Sequence, residues 1–136
     1  MAPFFSEKIK VFSCDIRDFG RLKDIISNIL PKRIYHLASV SNPSEAAKDF
    51  QRVFETNALG TLNLFKAVKS NKIFPRIISI GSSHEYGFVQ PEQIPISEKA
   101  AIKPVSPYGI SKACASMLAG SFFSKEKNKE IELKYD

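Results

Sequence analysis

Tyr108 and Lys112 stand four residues apart in "SPYGISK" (106–112), and "SIGSSHEYG" (79–87) sets two serines, a histidine and a glutamate after an apolar run. Four residues is about one helical turn, so the phenol and the ammonium share a helix face. A free tyrosine, with a pKa of about 10, is a poor base at neutral pH. An ammonium beside it favours the phenolate. A serine hydroxyl from a neighbouring strand end would hold a carbonyl or alcohol oxygen against the phenol. The set makes a proton relay for oxidising an alcohol or reducing a ketone, with a cofactor handling the hydride. Ser82 and His84 do not read as a hydrolase pair, because no nucleophile elbow surrounds them. Tyr-x-x-x-Lys arises often by chance on helix surfaces, so the elements that position it decide its meaning.

Those elements alternate. "KIKVFSCDI" (8–16) predicts a strand over 9–14 ending at Asp15, and 18–30 places Phe19, Leu22, Ile25, Ile26, Ile29 and Leu30 at helical spacing. Asp18 suits the cap of that helix and Pro31 follows its end. "RIYHLA" (33–38) predicts a second strand over 34–38, and Asn42 before Pro43 a helix start. A long helical pattern runs over 49–70. "RIISI" (76–80) suits a strand over 76–81 buried on both faces. A proline-marked loop over 81–106 precedes a helix over 107–123, and "IELKY" (131–135) predicts a last strand. A loop that long in a compact domain is either functional or a misassigned element. Strand–helix alternation argues for a parallel sheet with helices on both faces, in which a ligand sits beyond the carboxyl ends of the strands. The polar residues after Asp15, Leu37 and Gly81 gather there.

The chain of 136 residues suits a single domain over 1–136, and 43% hydrophobic with 25% charged residues is an ordinary globular balance. No apolar run nears the roughly 20 residues that span a bilayer, and the start lacks signal-peptide features. The expected location is cytoplasmic, with no membrane partner. Cys14 and Cys114 read as small buried side chains, and with His36 and His84 they give no metal site. Net charge is +6, yet the basic residues are scattered and lack aromatic interleaving, so a nucleic-acid partner is not expected. His36 reads as a packed core histidine. Ser83 suits a turn cap, and Phe122 and Phe123 suit packing.

The motifs resemble, in order, the extended short-chain dehydrogenase/reductase family of NAD-dependent nucleotide-sugar epimerases, dehydratases and reductases. "CDIRD" (14–18) is similar to its "GD(L/I)-x-D" and "YHLAS" (35–39) to its "HLAA". "FETNALGTLNLFKAV" (54–68) is similar to "xxxNxxGTxNLLEA", "IISIGSSHEYG" (77–87) to "xxxSSSxxVYG", and "PVSPYGISKACASML" (104–118) to "PxSPYGxSKxxxE". Within the family, "VSPYGISK" looks most like enzymes of GDP-linked sugars, the GDP-mannose 4,6-dehydratase or GDP-4-keto-6-deoxymannose reductase type.

The resemblance implies a Rossmann-like, doubly wound parallel sheet, NAD or NADP as cofactor, and a nucleotide-sugar substrate, GDP-linked in the finer placement. It leaves room for a homo-oligomer. It implies that Tyr108 is the catalytic acid/base, Lys112 its ribose-binding partner, and Ser82 the catalytic hydroxyl. Asp15 and Ile16 match the pair flanking adenine, and Leu37, Ala38 and Ser39 the segment passing phosphates and ribose. Asn57 matches a helix asparagine near the active-site strand; its other reading is a bond to backbone inside the helix.

Two departures stand out. The family's Gly-rich turn holds the pyrophosphate on backbone amides, and glycines 20, 60, 81, 87, 109 and 120 form no such motif. The expectation is a partial Rossmann-like domain lacking the first two strands and the C-terminal substrate domain. In the 3-2-1-4-5-6 order the strand at 9–14 is then separated from the other three by a gap. An inactive fragment of such an enzyme is the alternative reading. Second, dehydratases carry a glutamate two residues before the motif tyrosine; here His84 stands there, with Glu85 beside it. A histidine proton donor fits a reductase or epimerase better; otherwise His84 only lines the sugar pocket.

Overall fold

The computed structural model describes residues 9–123 and 132–134. Helix α1 (Phe19–Ile29) starts where the Asp18 carboxylate accepts from the Arg21 amide at 2.9 Å, and it ends at left-handed Leu30 (φ 47°), just before Pro31. Strand β1 (Arg33–His36) follows. Helix α2 (Pro43–Lys48) is capped by Asn42, whose side chain accepts from the Ser44 amide at 2.9 Å. Pro43 sits at its first turn, where a missing N–H costs nothing. The long pattern over 49–70 is continuous helix in three parts: α3 (Phe50–Phe54), a π-turn (Glu55–Leu59) and α4 (Gly60–Ser70). Strand β2 (Arg76–Ile80) leads into two 3-10 turns (Ser83–Tyr86 and Pro91–Gln93), helix α5 (Pro107–Phe123) and strand β3 (Glu132–Lys134).

The sheet order is β1-β2-β3 and every pairing is parallel. His36 stands opposite Ser79, and Ile78 opposite Glu132. Ile34 and Ile77 look toward α1, α4 and α5, in a core with Ile26, Leu64, Phe65, Val68 and Ala119. Tyr35, on the other face, is 62% exposed. Helices on both faces were expected; among the described residues they cover one. The reason is the handedness of the connections. Right-handed crossovers that step in one direction leave their helices on one side. β2 accordingly alternates between buried Ile77 and Ser79 and half-buried Ile78 and Ile80, rather than being buried on both faces.

The strand expected at 9–14 is not a strand. The segment makes no ladder, and Ile9, Val11 and Phe12 are exposed. A strand needs a neighbour to complete its ladder hydrogen bonds, and among the described residues none flanks it. Cys14, expected buried, is exposed for the same reason, while Cys114 is half-buried in α5. The segment is anchored at its far end. Ile16 lies so close to Gly60 that a Cβ there would stand 2.6 Å from Ile16 Cγ2. Asn63 donates to the carbonyls of Ile16 and Arg17 at 3.3 and 3.0 Å. No helix among the described residues is long and apolar enough to cross a membrane.

Candidate active site

β1 and β2 are parallel neighbours, so the residues after them, 37–39 and 81–82, emerge side by side. A cavity of about 330 Å³ opens at that edge. Its wall brings together Ser82, Tyr108 and Lys112 with Leu37, Ala38, Ser39 and Asn57.

Local structure explains how each group arrives there. Ser106 accepts from the Gly109 amide at 3.0 Å at the start of α5. Gly109 packs on the His84 carbonyl, which a Cβ would approach to 2.5 Å. The helix start therefore seats directly on the turn after β2, and Tyr108 and Lys112 face the cavity one turn apart. The Lys112 ammonium is buried and donates to the Ile80 carbonyl. Ser82 opens its 3-10 turn in extended conformation (φ −159°). Its hydroxyl accepts from the His84 amide at 3.3 Å, and its own amide donates to Glu85 Oε1 at 2.9 Å. This reciprocal capping box holds Ser82 at both ends.

Asn57 is 1% exposed and fully engaged. Its Oδ1 accepts from the Val40 amide at 2.8 Å, and its Nδ2 donates to the Val40 carbonyl at 3.1 Å and to Ser111 Oγ at 3.0 Å. It clamps the segment after β1 to α5 and forms part of the cavity wall. It lies in the π-turn, a distortion common at functional sites.

Asp15 and Ile16 lie outside that wall. Asp15 is bound by Arg17, whose Nη2 donates to Oδ2 at 2.7 Å; these bonds hold the carboxyl down at about 2. His84 also lies outside the wall. It is exposed, and its ring stands edge-on to Tyr108 with centroids 5.4 Å apart. It lines a second cavity of about 380 Å³ with Ser83, Ser106 and the apolar Phe88, Val89, Ile96 and Val105. Tyr108 thus stands between two spaces.

Three further polar groups belong to this region. His36 is buried, as expected of a packed histidine, and it is also on the cavity wall beside Ser79 and Thr61. Its Nε2 lies 2.8 Å from Thr61 Oγ1, whose hydroxyl donates to the Asn57 carbonyl at 2.6 Å. Thr61 therefore accepts from Nε2–H, which selects the neutral tautomer with that proton. Burial first, and then the Lys112 charge, lower the His36 pKa to about 4. Thr61 was legible as the i+4 neighbour of Asn57, and Ser79 as the partner of Ile77 in a period of two. Glu85 is fully buried and completes Ser-x-x-Glu with Ser82, a spacing that signals a capping box. Burial pushes its carboxyl above the usual range, against the Ser116 hydroxyl, the Ser82 amide and the Lys112 charge.

The donor set fits one half of a nicotinamide dinucleotide. The Ser82 and Tyr108 hydroxyls and the Lys112 ammonium, among other hydroxyls on the wall of a pocket of this size, suit a ribose diol and a carboxamide. Nothing within the 136 residues supplies the run of glycine amides that a pyrophosphate takes.

The model of the family described as GDP-mannose 4,6 dehydratase matches residues 2–131. The GDP-6-deoxy-D-mannose reductase of Pseudomonas aeruginosa is 37% identical over 89 residues, 65% of this chain and 29% of that enzyme. A UDP-glucose 4-epimerase of Rhizobium meliloti is 32% identical over 98 residues, 72% of this chain and 29% of the epimerase. Among solved structures, RMD from Pseudomonas aeruginosa complexed with NADPH superposes with a TM-score of 0.81 at 30% identity, over 91% of this chain and 40% of that one. The chain thus spans about a third of the length of these relatives.

Proposed function

We propose, for a chain that belongs to the GDP-mannose 4,6-dehydratase family of NAD-dependent epimerases and dehydratases, that residues 1–136 carry the proton-transfer residues of a nucleotide-sugar oxidoreductase. The observation that carries this reading is the presence of Ser82, Tyr108 and Lys112 on the wall of one cavity. The substrate is a GDP-linked hexose oxidised or reduced at a ring carbon. The cofactor is NAD or NADP, as in the relatives solved with NADPH or NAD. When bound, it supplies or takes up the hydride.

The residues of this chain manage the proton. The Tyr108 hydroxyl gives a proton to the sugar oxygen in reduction and takes it in oxidation. The Ser82 hydroxyl holds that oxygen in line. The Lys112 ammonium binds the ribose and steadies negative charge on the phenol. Leu37, Ala38 and Ser39 pass beside the cofactor, held by Asn57 through Val40. Asp15 and Ile16, outside the cavity, are left for the adenine end. His84, ring-to-ring with Tyr108 and facing the second cavity, contacts the sugar. A histidine in place of the dehydratase glutamate favours reduction over dehydration.

The pyrophosphate needs a Gly-rich turn joined to these residues, so the 136-residue chain alone binds the dinucleotide weakly. The test is turnover by a polypeptide that carries residues 1–136 with such a turn and a sugar-binding region. Tyr108→Phe lowers kcat by about 10²–10⁴, the usual worth of a general acid. An unchanged kcat overturns the assignment.

A further inference from the structure

Glu85 is the one carboxylate among the described residues that is buried without exposure, and nothing in the proposed chemistry uses it. Its Oε1 accepts from the Ser82 amide at 2.9 Å, while its Oε2 has no hydrogen-bond partner. A buried polar atom without a partner costs about 1–3 kcal/mol, so its presence asks for a compensating role. Its main chain is held as well: the Lys103 amide donates to the Glu85 carbonyl at 3.0 Å, and the Glu85 amide donates to the Ser82 carbonyl at 3.0 Å. Glu85 therefore cannot swing out of its site without undoing the turn.

Several groups face it. From α5 come the Ser116 hydroxyl and the Lys112 ammonium, both of which act on the carboxyl. Tyr108 stands beside its neighbour His84 in the same turn. From the loop the Lys103 amide donates to its carbonyl. One carboxyl thus grips the backbone of Ser82 and lies within the field of Lys112, the two residues whose spacing across the cavity matters.

We propose that Glu85 is a positioning residue, whose buried carboxyl ties down the Ser82 backbone and sets Ser82 against the Tyr108–Lys112 face. The role rests on the functional reading above, although the tie itself is independent of any turnover. The arrangement is rigid because the carboxyl has nowhere to exchange its partners for water. It also responds to protonation: the neutral carboxyl relinquishes the attraction to Lys112.

NMR on the 136-residue chain tests this without turnover. The Glu85 side-chain carbon is followed against pH, together with the Ser82 amide and the Lys112 side chain. All three report one titration, above the ordinary carboxylate range, and it persists in His84→Gln. Glu85→Gln keeps an oxygen for the Ser82 amide, so that amide stays protected while the titration vanishes. Glu85→Ala exposes the Ser82 amide, speeding its exchange at least tenfold and shifting the Tyr108 ring. A Ser82 amide that ignores the Glu85 titration in the wild-type chain overturns the proposal, whether or not the variants fold. Turnover surviving Tyr108→Phe in a complete polypeptide sinks the catalytic reading instead, and leaves the Glu85–Ser82 titration in place.

Discussion

The Lys112 ammonium donates a hydrogen bond to the carbonyl of Ile80, the last residue of β2. The bond joins the face of α5 that bears Tyr108 to the strand end that delivers Ser82. The cavity wall and the sheet geometry thus meet in one side chain.

Lys112→Met keeps the apolar stem and removes the donor. It leaves the half-buried Ile80 carbonyl without this partner. Hydrogen bonds to charged groups are worth about 1.5–3 kcal/mol, and the expected loss lies within that range. Urea denaturation at pH 7 measures it, and an unchanged midpoint speaks against the tether.

Acid acts through His36. Its ordinary value of 6.5 falls to about 4 in the fold, because burial and the Lys112 charge disfavour the imidazolium. The folded state therefore favours the neutral ring. The stabilisation is complete above pH 6.5 and is lost as pH falls toward 4, amounting to about 3 kcal/mol. Glu85 works in the opposite sense. Its raised value gives stability that is full below the unfolded value of 4.5 and lost as pH rises through the folded one. The two are separated by variant: His36→Gln flattens the loss between pH 6.5 and 4 in denaturation curves. An equal loss in wild type and variant assigns it elsewhere.

Asn57→Leu removes three hydrogen bonds, two to Val40 and one to Ser111. The part-buried amide and carbonyl of Val40 lose these side-chain partners, at about 1–3 kcal/mol. Amide spectra should show residues 38–41 shifting most, since Val40 anchors them to α5. Shifts confined to the π-turn would show that the clamp does not reach the cavity.

Gly87 closes the turn that holds Ser82 and Glu85, with φ at +71°. A Cβ there meets the Lys103 carbonyl, a backbone group that cannot give way cheaply. Gly87→Ala combines that clash with a conformation L-residues avoid, a strain of about 1–3 kcal/mol. Thermal melting shows the loss. A neutral effect would mean that the loop over 81–106 moves away from the turn without penalty.

Periodicity carried most of the fold. The helices at 18–30 and 107–123 were legible from helical spacing and the strands at 34–38 and 76–81 from short apolar runs, while the one-sided burial of the second strand was not. The candidate set was legible as a group because Tyr108 and Lys112 lie on one helix and Ser82 follows the apolar run of β2, and the structure places all three on one cavity wall. The strand at 9–14 was misread. Its apolar alternation is real, but a ladder is a property of two segments, and alternation in one cannot reveal whether the other is there.

The amino-acid order alone determined local matters: which residues share a turn, where Asp18 and Asn42 cap their helices, and that the phenol and ammonium point the same way, whereas the cap expected at Ser83 falls on Ser82. These depend on neighbours within about four residues, whose separations the covalent chain dictates. Only the tertiary structure decided that His36 is neutral against Thr61, that Asn57 spends its amide on Val40 and Ser111, and that Glu85 is buried with one oxygen unpartnered. It also decided that His84 faces a different cavity from Ser82. Such outcomes depend on burial and on partners up to dozens of residues away, and desolvation is set by everything packed around a group rather than by the group itself.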